Sequence, residues 1–267
     1  MLIVAATEPG NPDTPNEDWV TAAQRLIVVL DGATARTETG CVQGVAWYAA
    51  MLGSAITSLA TDASKPLPDV LADAITLTAR QHSGCDLRHP GTPSAMVAIV
   101  RMAGDWLEHL VLGDTTVIVD DWEKVHVIAD SRVDGIAKAE RAEANLYPFG
   151  SAEKAAALLR MKAAELDARN QPGGFWVAAA DPAVVAQALT GRFAMRDVRR
   201  LAVLTDGTAR AQSVFGLLDW YGVVELLEEH GPAELIRRVR AIEAADPTGT
   251  RWPRNKSSDD ATAVFAS

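Results

Sequence analysis

Apolar runs that stop on an aspartate recur from one end of the chain to the other, and they constrain its fold more than any other feature. Leu26-Ile27-Val28-Val29-Leu30 ends on Asp31-Gly32, Trp106 to Leu112 on Gly113-Asp114, and Leu201-Ala202-Val203-Leu204 on Thr205-Asp206-Gly207. Asn16-Glu17-Asp18 leads into Trp19-Val20, and Ser258-Asp259-Asp260 into Ala261-Thr262-Ala263-Val264-Phe265. Short β-branched and aliphatic runs bounded by turn residues read as buried strands. A carboxylate at the end of such a strand is held by its neighbours and still reaches a cleft. Taken singly, each Asp-Gly is also a common turn dipeptide. Several carboxylates converging could not all stay ionised unaided, because like charges in contact raise one another's pKa. A hard divalent cation with oxygen ligands, Mg²⁺ or Mn²⁺, is the usual remedy.

Between these stations, strands and helices come in blocks. Apolar residues at helical spacing (Val42, Val45, Ala46, Ala49, Leu52, Ile56, Leu59) predict a helix from Val42 to Leu59, and Val70 to Ala79 repeats the pattern. A run of strands follows at Ser94–Val100, Trp106–Leu112, Thr115–Asp120 and Val125–Ala129, with Gly104-Asp105 and Gly113-Asp114 as turns between successive members. Ile136 to Asn170 reads as helical, interrupted at Tyr147-Pro148-Phe149-Gly150. Phe175–Ala179 and Leu201–Leu204 read as strands around a short helix, Pro182 to Leu189. Leu217–Glu229 and Pro232–Ala245 read as a second helix pair, with proline opening the latter. Strand blocks with paired helices imply an α+β fold, layered as a sandwich. No repeat or linker interrupts the pattern, so one domain over residues 1–267 is the expectation.

Charge and targeting signals narrow the function classes. Lys+Arg 25 against Asp+Glu 35 leaves a net charge of -10, which argues against a nucleic-acid or anionic-membrane partner. Arg196, Arg199 and Arg200, the densest basic group, read as a solvated flank of the following strand. The apolar start Met1–Ala6 is too short for a signal peptide, lacks basic residues and reads as a first strand. Nothing approaches the ~20 apolar residues of a membrane helix, so a soluble, cytoplasmic protein is expected. Cys41 and Cys85 have no zinc spacing and no secretion context for a disulfide. His82, His89, His109, His126 and His230 are scattered without ligand spacing, and Trp47 and Trp220 fall within apolar helical patterns.

As a set, the acidic stations resemble the motifs of the PPM family, the metal-dependent type 2C serine/threonine protein phosphatases. The resemblance rests on Asn16-Glu17-Asp18, Val28-Val29-Leu30-Asp31-Gly32-Ala33-Thr34, Gly91-Thr92-Pro93-Ser94-Ala95, Leu112-Gly113-Asp114, Leu204-Thr205-Asp206-Gly207 and Ser258-Asp259-Asp260-Ala261-Thr262. It implies a four-layer α-β-β-α sandwich of two antiparallel sheets flanked by helix pairs. It further implies two Mg²⁺ or Mn²⁺ ions. Asp31 would bridge them, Asp206 and Asp259 would complete one site, and Asp18 with the Gly32 carbonyl would serve the other. Asp114 would line a weaker third position, so that Asp31 and Asp114 carry the catalytic roles. Glu17 stands at a position that varies in the family, and Asp260 lies beside the ligand set rather than in it.

The implied activity is hydrolysis of phosphoserine or phosphothreonine by a metal-bridging hydroxide. The substrate would be a phosphorylated protein, with a Ser/Thr kinase as the corresponding partner. Asp13 stands where the family usually has a phosphate-gripping arginine; Arg36 is the candidate substitute. Thr115-Thr116 departs from the usual Ser-Arg. A weakly active phosphoprotein-binding adaptor and a small-molecule phosphohydrolase remain the alternatives. The loop Trp252-Pro253-Arg254-Asn255-Lys256 is placed to border the cleft.

Overall fold

Along each central strand, alternate side chains leave on opposite faces, and both faces are apolar. In the computed structural model, which describes residues 1–267, β3 (Leu26–Gly32) sends Leu26, Val28 and Leu30 into one core. Its Ile27 and Val29 enter another. This period of two is the reason an unbroken aliphatic run forms a strand buried on both sides. Each Val or Leu so buried contributes about 1.5–3 kcal/mol relative to water.

The first sheet has the order β2-β3-β4-β5-β8, with β2 Trp19–Ala23, β4 Ala95–Ala103, β5 Trp106–Leu112 and β8 Leu189–Ala194. The second has the order β1-β10-β9-β6-β7, with β1 Ile3–Glu8, β10 Ala261–Ala266, β9 Arg200–Leu204, β6 Thr116–Asp120 and β7 Val125–Ile128. Every pairing is antiparallel. Helices α1 (Val45–Leu59) and α2 (Leu67–Gln81) cover the outer face of the first sheet. Helices α5 (Asp206–Ser213), α6 (Trp220–His230) and α7 (Pro232–Ala245) cover that of the second. Between the sheets Ile27, Val29, Val100, Val111, Val203 and Val264 share a third core. Three apolar seams make four layers, the expected α-β-β-α sandwich. Helices α3 (Lys138–Ala144) and α4 (Ala152–Ala168) stand apart around a small core of Ala144, Ala157, Leu158 and Met161. No helix is long and apolar enough to cross a membrane.

Four sequence expectations are corrected. Gly113-Asp114 joins β5 to β6, but these strands belong to different sheets, so the turn carries the chain from one layer to the next. Phe175–Ala179 makes only isolated bridges, through Phe175 to Arg169 and Ala178 to Ala95. The strand in that region is β8, whose Leu189-Thr190-Gly191-Arg192 stretch is exposed and carries no apolar run. It pairs as an edge because Gly191 lets its backbone lie against the His109 ring; a Cβ there would come within 2.6 Å of Cε1. Finally, Arg200 is not solvated: it is 1% exposed, donates from Nε to Asp120 at 2.6 Å and from Nη1 to Glu228 at 2.6 Å. The helix expected from Val42 begins at Val45, because Gly44 turns the chain at φ 81 and leaves Val42 84% exposed.

Candidate active site

The acid-bearing strand ends meet at one edge of the sandwich, around a cleft of about 560 Å³. Asp31 and Gly32 come from β3, Asp114 from the crossing turn, Asp206 from the first turn of α5 and Asp259 from the approach to β10; all five residues line the cleft. Two glycines set this geometry. At Gly113 the backbone has φ +89, and a Cβ would lie 2.4 Å from Met96 Cγ, so only glycine delivers Asp114 here without strain. At Gly207 a Cβ would lie 1.9 Å from the Asp260 carbonyl oxygen, so glycine allows α5 to start against the Asp260 backbone.

Two acids sit behind the cleft wall. Asp18 is buried, and its Oδ2 accepts from Thr205 Oγ1 at 2.8 Å and Thr262 Oγ1 at 2.7 Å. Burial nevertheless pushes its carboxyl up to about 8, the threonine bonds opposing and the Asp206 and Asp260 charges adding to the rise. Asp18 does not line the cleft, whereas Asp31 and Gly32 do. Asp260 accepts from the Gly10 and Glu17 amides, both at 2.7 Å. It therefore fastens the N-terminal loop to the approach to the last strand.

Asp31, Asp114 and Asp206 are held in an environment that penalises charge. Burial, and then Asp206, Asp18, Asp114 and Asp259, raise Asp31 well above the carboxylate range. Burial first and Asp206 second push Asp114 up to about 7. Asp206 is raised by burial and then by Asp259, while its amide donates to Asp31 Oδ2 at 3.3 Å. Asp114 Oδ1 is buried with no partner. A buried carboxylate oxygen with nothing to bind costs roughly 1–3 kcal/mol or more, and a cation relieves it.

Asp259 differs from the others because side-chain cations already engage it. Arg210 donates to Oδ2 at 2.9 Å, and Lys256 donates to Oδ1. Arg210 is itself fixed by Glu243 at 2.8 Å. Lys256 also donates to Thr34 Oγ1 at 2.6 Å, and Thr34 donates to Glu17. Burial works against the lysine charge, but Asp259 and Asp206 outweigh it and hold the ammonium above its ordinary range. Lys256 and Arg210 were not singled out as site residues by sequence. The one signal was the loop from Trp252, of which Pro253, Arg254, Asn255 and Lys256 do line the cleft.

Basic side chains line the cleft as well. Arg36 lines the cleft and donates from Nη2 to the Asn255 carbonyl at 3.0 Å. Lys162 of α4 lines it as well, and burial lowers its ammonium pKa, with Glu165 opposing. Asp13 is exposed on the N-terminal loop and is not among the lining residues.

Oxygen donors, raised pKa values and the orphaned Asp114 Oδ1 fit hard divalent cations. As they stand, however, no three of these carboxylates bring oxygens within 4.8 Å of one another. Cation binding would draw them inward and would compete with Lys256 for Asp259.

Comparison with known proteins places this geometry in a family. The protein phosphatase 2C profile matches residues 11–234, and the chain belongs to that family. No curated protein matches the chain in sequence. Among solved structures, the chain is similar to the Mycobacterium tuberculosis serine/threonine phosphatase PstP, at 15% identity and TM-score 0.58, over 99% of this chain and 97% of that one. A PstP catalytic domain in complex with two manganese ions gives 15% identity and TM-score 0.57, over 99% and 96% of the two chains. The Mycobacterium smegmatis phosphatase MsPP, in complex with cacodylate, gives 17% identity and TM-score 0.56, over 99% and 97%.

Proposed function

We propose that this member of the protein phosphatase 2C family is a metal-dependent hydrolase of phosphoserine and phosphothreonine in proteins. The observation that carries the reading is the group of half-buried, charge-penalised carboxylates, Asp31, Asp114 and Asp206, around an open cleft that Arg36 and Lys162 also line. Asp31 would be shared between two Mg²⁺ or Mn²⁺ ions, with Asp206 and Asp259 on one and the Gly32 carbonyl on the other. Asp18, whose Oδ2 the two threonines hold, would serve that second ion through water. Asp114 would line a third position. Such ions, when bound, supply Lewis acidity and an activated water near neutral pH.

The chain's own residues do the rest. Arg36 offers guanidinium N–H groups to phosphoryl oxygens, while Asn255 holds one Nη in place. Lys162 adds a second positive charge without hydrogen-bond orientation of its own. Thr34 and Glu17 hold Lys256 beside Asp259, so the cleft keeps a fixed internal cation at the ligand cluster. A phosphoprotein would be the substrate and a Ser/Thr kinase the source of its phosphate.

A second reading, a phosphoprotein-binding adaptor of the same fold, draws on the engagement of both Asp259 oxygens by Arg210 and Lys256. Hydrolysis of p-nitrophenyl phosphate and of a phosphothreonine peptide, with and without Mn²⁺, separates the two. Mn²⁺-dependent phosphate release from both supports the enzyme. Peptide binding without release in saturating Mn²⁺ supports the adaptor.

A further inference from the structure

Away from the cleft, Cys41, His82 and Cys85 form a cluster that their sequence separation conceals. Both cysteines are free and half-buried, and their Sγ atoms are 2.7 Å apart. His82 Nδ1 lies 3.4 Å from Cys41 Sγ. The backbone fixes this meeting. The Asp86 amide donates to the Gly40 carbonyl at 2.8 Å, and Gly40, at φ +66, approaches His89 so closely that a Cβ would meet its Cβ at 2.6 Å. The Gln43 amide donates to Cys41 Sγ at 3.4 Å. His82 is buried and packed edge-on against Trp47, with centroids 4.6 Å apart. Burial lowers its pKa, which keeps the imidazole neutral and able to accept a proton at Nδ1.

We propose that Cys41 and Cys85 are an oxidisable pair that closes to an intramolecular disulfide, with His82 as the base that takes the Cys41 proton. The spacing decides between this and a metal site. A disulfide needs the sulfurs at about 2.05 Å, a sub-ångström approach from where they stand. Two thiolates on a tetrahedral zinc, each at about 2.3 Å, would have to move apart to nearly 4 Å. The cluster also offers only three donors.

The oxidant class is a hydroperoxide. The Cys85 thiolate attacks the peroxide oxygen, the O–O bond breaks, and Cys85 becomes a sulfenic acid while hydroxide leaves. Cys41 then loses its proton to His82 Nδ1 and attacks the Cys85 sulfur; the S–O bond breaks and the S–S bond forms. The departing hydroxides take up the two thiol protons. Two thiols and one hydrogen peroxide thus give one disulfide and two waters. Cys41 is the second nucleophile because its Sγ lies against the base, 3.4 Å from His82 Nδ1, which leaves the first attack to Cys85; the pKa directions agree, lowered at Cys85 and raised at Cys41. The bond would tie the loop after Gly32, which brings Thr34 and Arg36 to the cleft, to the segment ending at Ser94.

The test uses the reduced full-length protein, treated with stoichiometric hydrogen peroxide and read by intact mass and thiol titration. Loss of two hydrogens, with both thiols disappearing together and returning with dithiothreitol, is the expected result. In Cys41→Ser, Cys85 should accumulate as a sulfenic acid that dimedone captures. His82→Gln should slow closure by about tenfold with the same final thiol count. Two thiols oxidising independently, or a cross-link between chains, would overturn the proposal. So would a zinc ion retained through dialysis that shields both thiols from peroxide. An unchanged closure rate in His82→Gln would remove the histidine from it.

Discussion

Arg210 donates to Asp259 from inside the molecule, at 2.9 Å, leaving the other carboxylate oxygen to Lys256. A carboxylate shared by two side-chain cations has little charge left to offer a metal ion. Removing Lys256, the more exposed of the two, should therefore tighten Mn²⁺ binding. Lys256→Met should lower the Mn²⁺ Kd by roughly tenfold, equal to about 1.4 kcal/mol, as read by calorimetry. A weaker Kd would mean that Lys256 orients Asp259 for the metal instead.

Asp206→Asn and Asp31→Asn should each abolish Mn²⁺-dependent phosphatase activity while raising the melting temperature of the metal-free protein. The amide keeps the shape of the side chain and removes a half-buried carboxyl whose ionised form its neighbours repel. Differential scanning calorimetry without metal and a phosphatase assay with it give the two readouts. Full activity in either variant would remove that residue from the ligand set.

Stability without metal should fall as pH rises from about 4 to about 8. Asp18 and Asp114 have folded pKa values of about 8 and about 7, above those of the unfolded chain. The native state thus binds more protons across that window, and stability decreases with pH. Mn²⁺, if it binds the deprotonated carboxylates of the folded state as proposed, should reverse the trend. Melting curves in chelator and in millimolar Mn²⁺, taken across this range, should diverge most at its upper end.

Arg36→Ala should raise KM for p-nitrophenyl phosphate by about ten- to a hundredfold with kcat little changed. A charge-assisted hydrogen bond to phosphate is worth about 1.5–3 kcal/mol, and it is made in ground and transition states alike. Lys162→Ala should have a smaller effect of the same kind. Asp13→Arg should leave KM unchanged, because that loop lies outside the cleft. Steady-state kinetics on the three variants decides among them.

Arg200→Met should destabilise the protein by about 3–5 kcal/mol, measured by urea unfolding. It would leave Asp120, 3% exposed, with the Trp122 amide at 3.1 Å and, as its remaining cation, the more distant Arg199 at 3.7 Å, and breaking one side of a buried ion pair is costly. The double change with Asp120→Leu should recover most of that loss.

The fold was legible where burial on both faces wrote an unbroken aliphatic run, as at Leu26–Leu30 and Leu201–Leu204. It was illegible where tertiary context supplies the order, as in β8, whose edge pairing rests on a glycine beside a histidine ring. The acids of the cleft could be found because each ends a strand or begins an element. Their counter-charges could not. Arg210 lies on a short helix and Lys256 in a loop, and nothing local marks either as reaching Asp259. Likewise Cys41 and Cys85 meet only because the turns at Gly40 and after α2 bring two loops together.

The threonine pair on Asp18 has a mechanical consequence. Asp18 leads into β2 of one sheet, while Thr262 lies in β10 of the other and Thr205 directly follows its β9; Asp31 and Asp206 straddle the same boundary. The spacing of the carboxylates is therefore a gauge of how the two sheets sit on each other. Any slippage along the Val29, Val203 and Val264 seam would detune the cleft long before the chain unfolds.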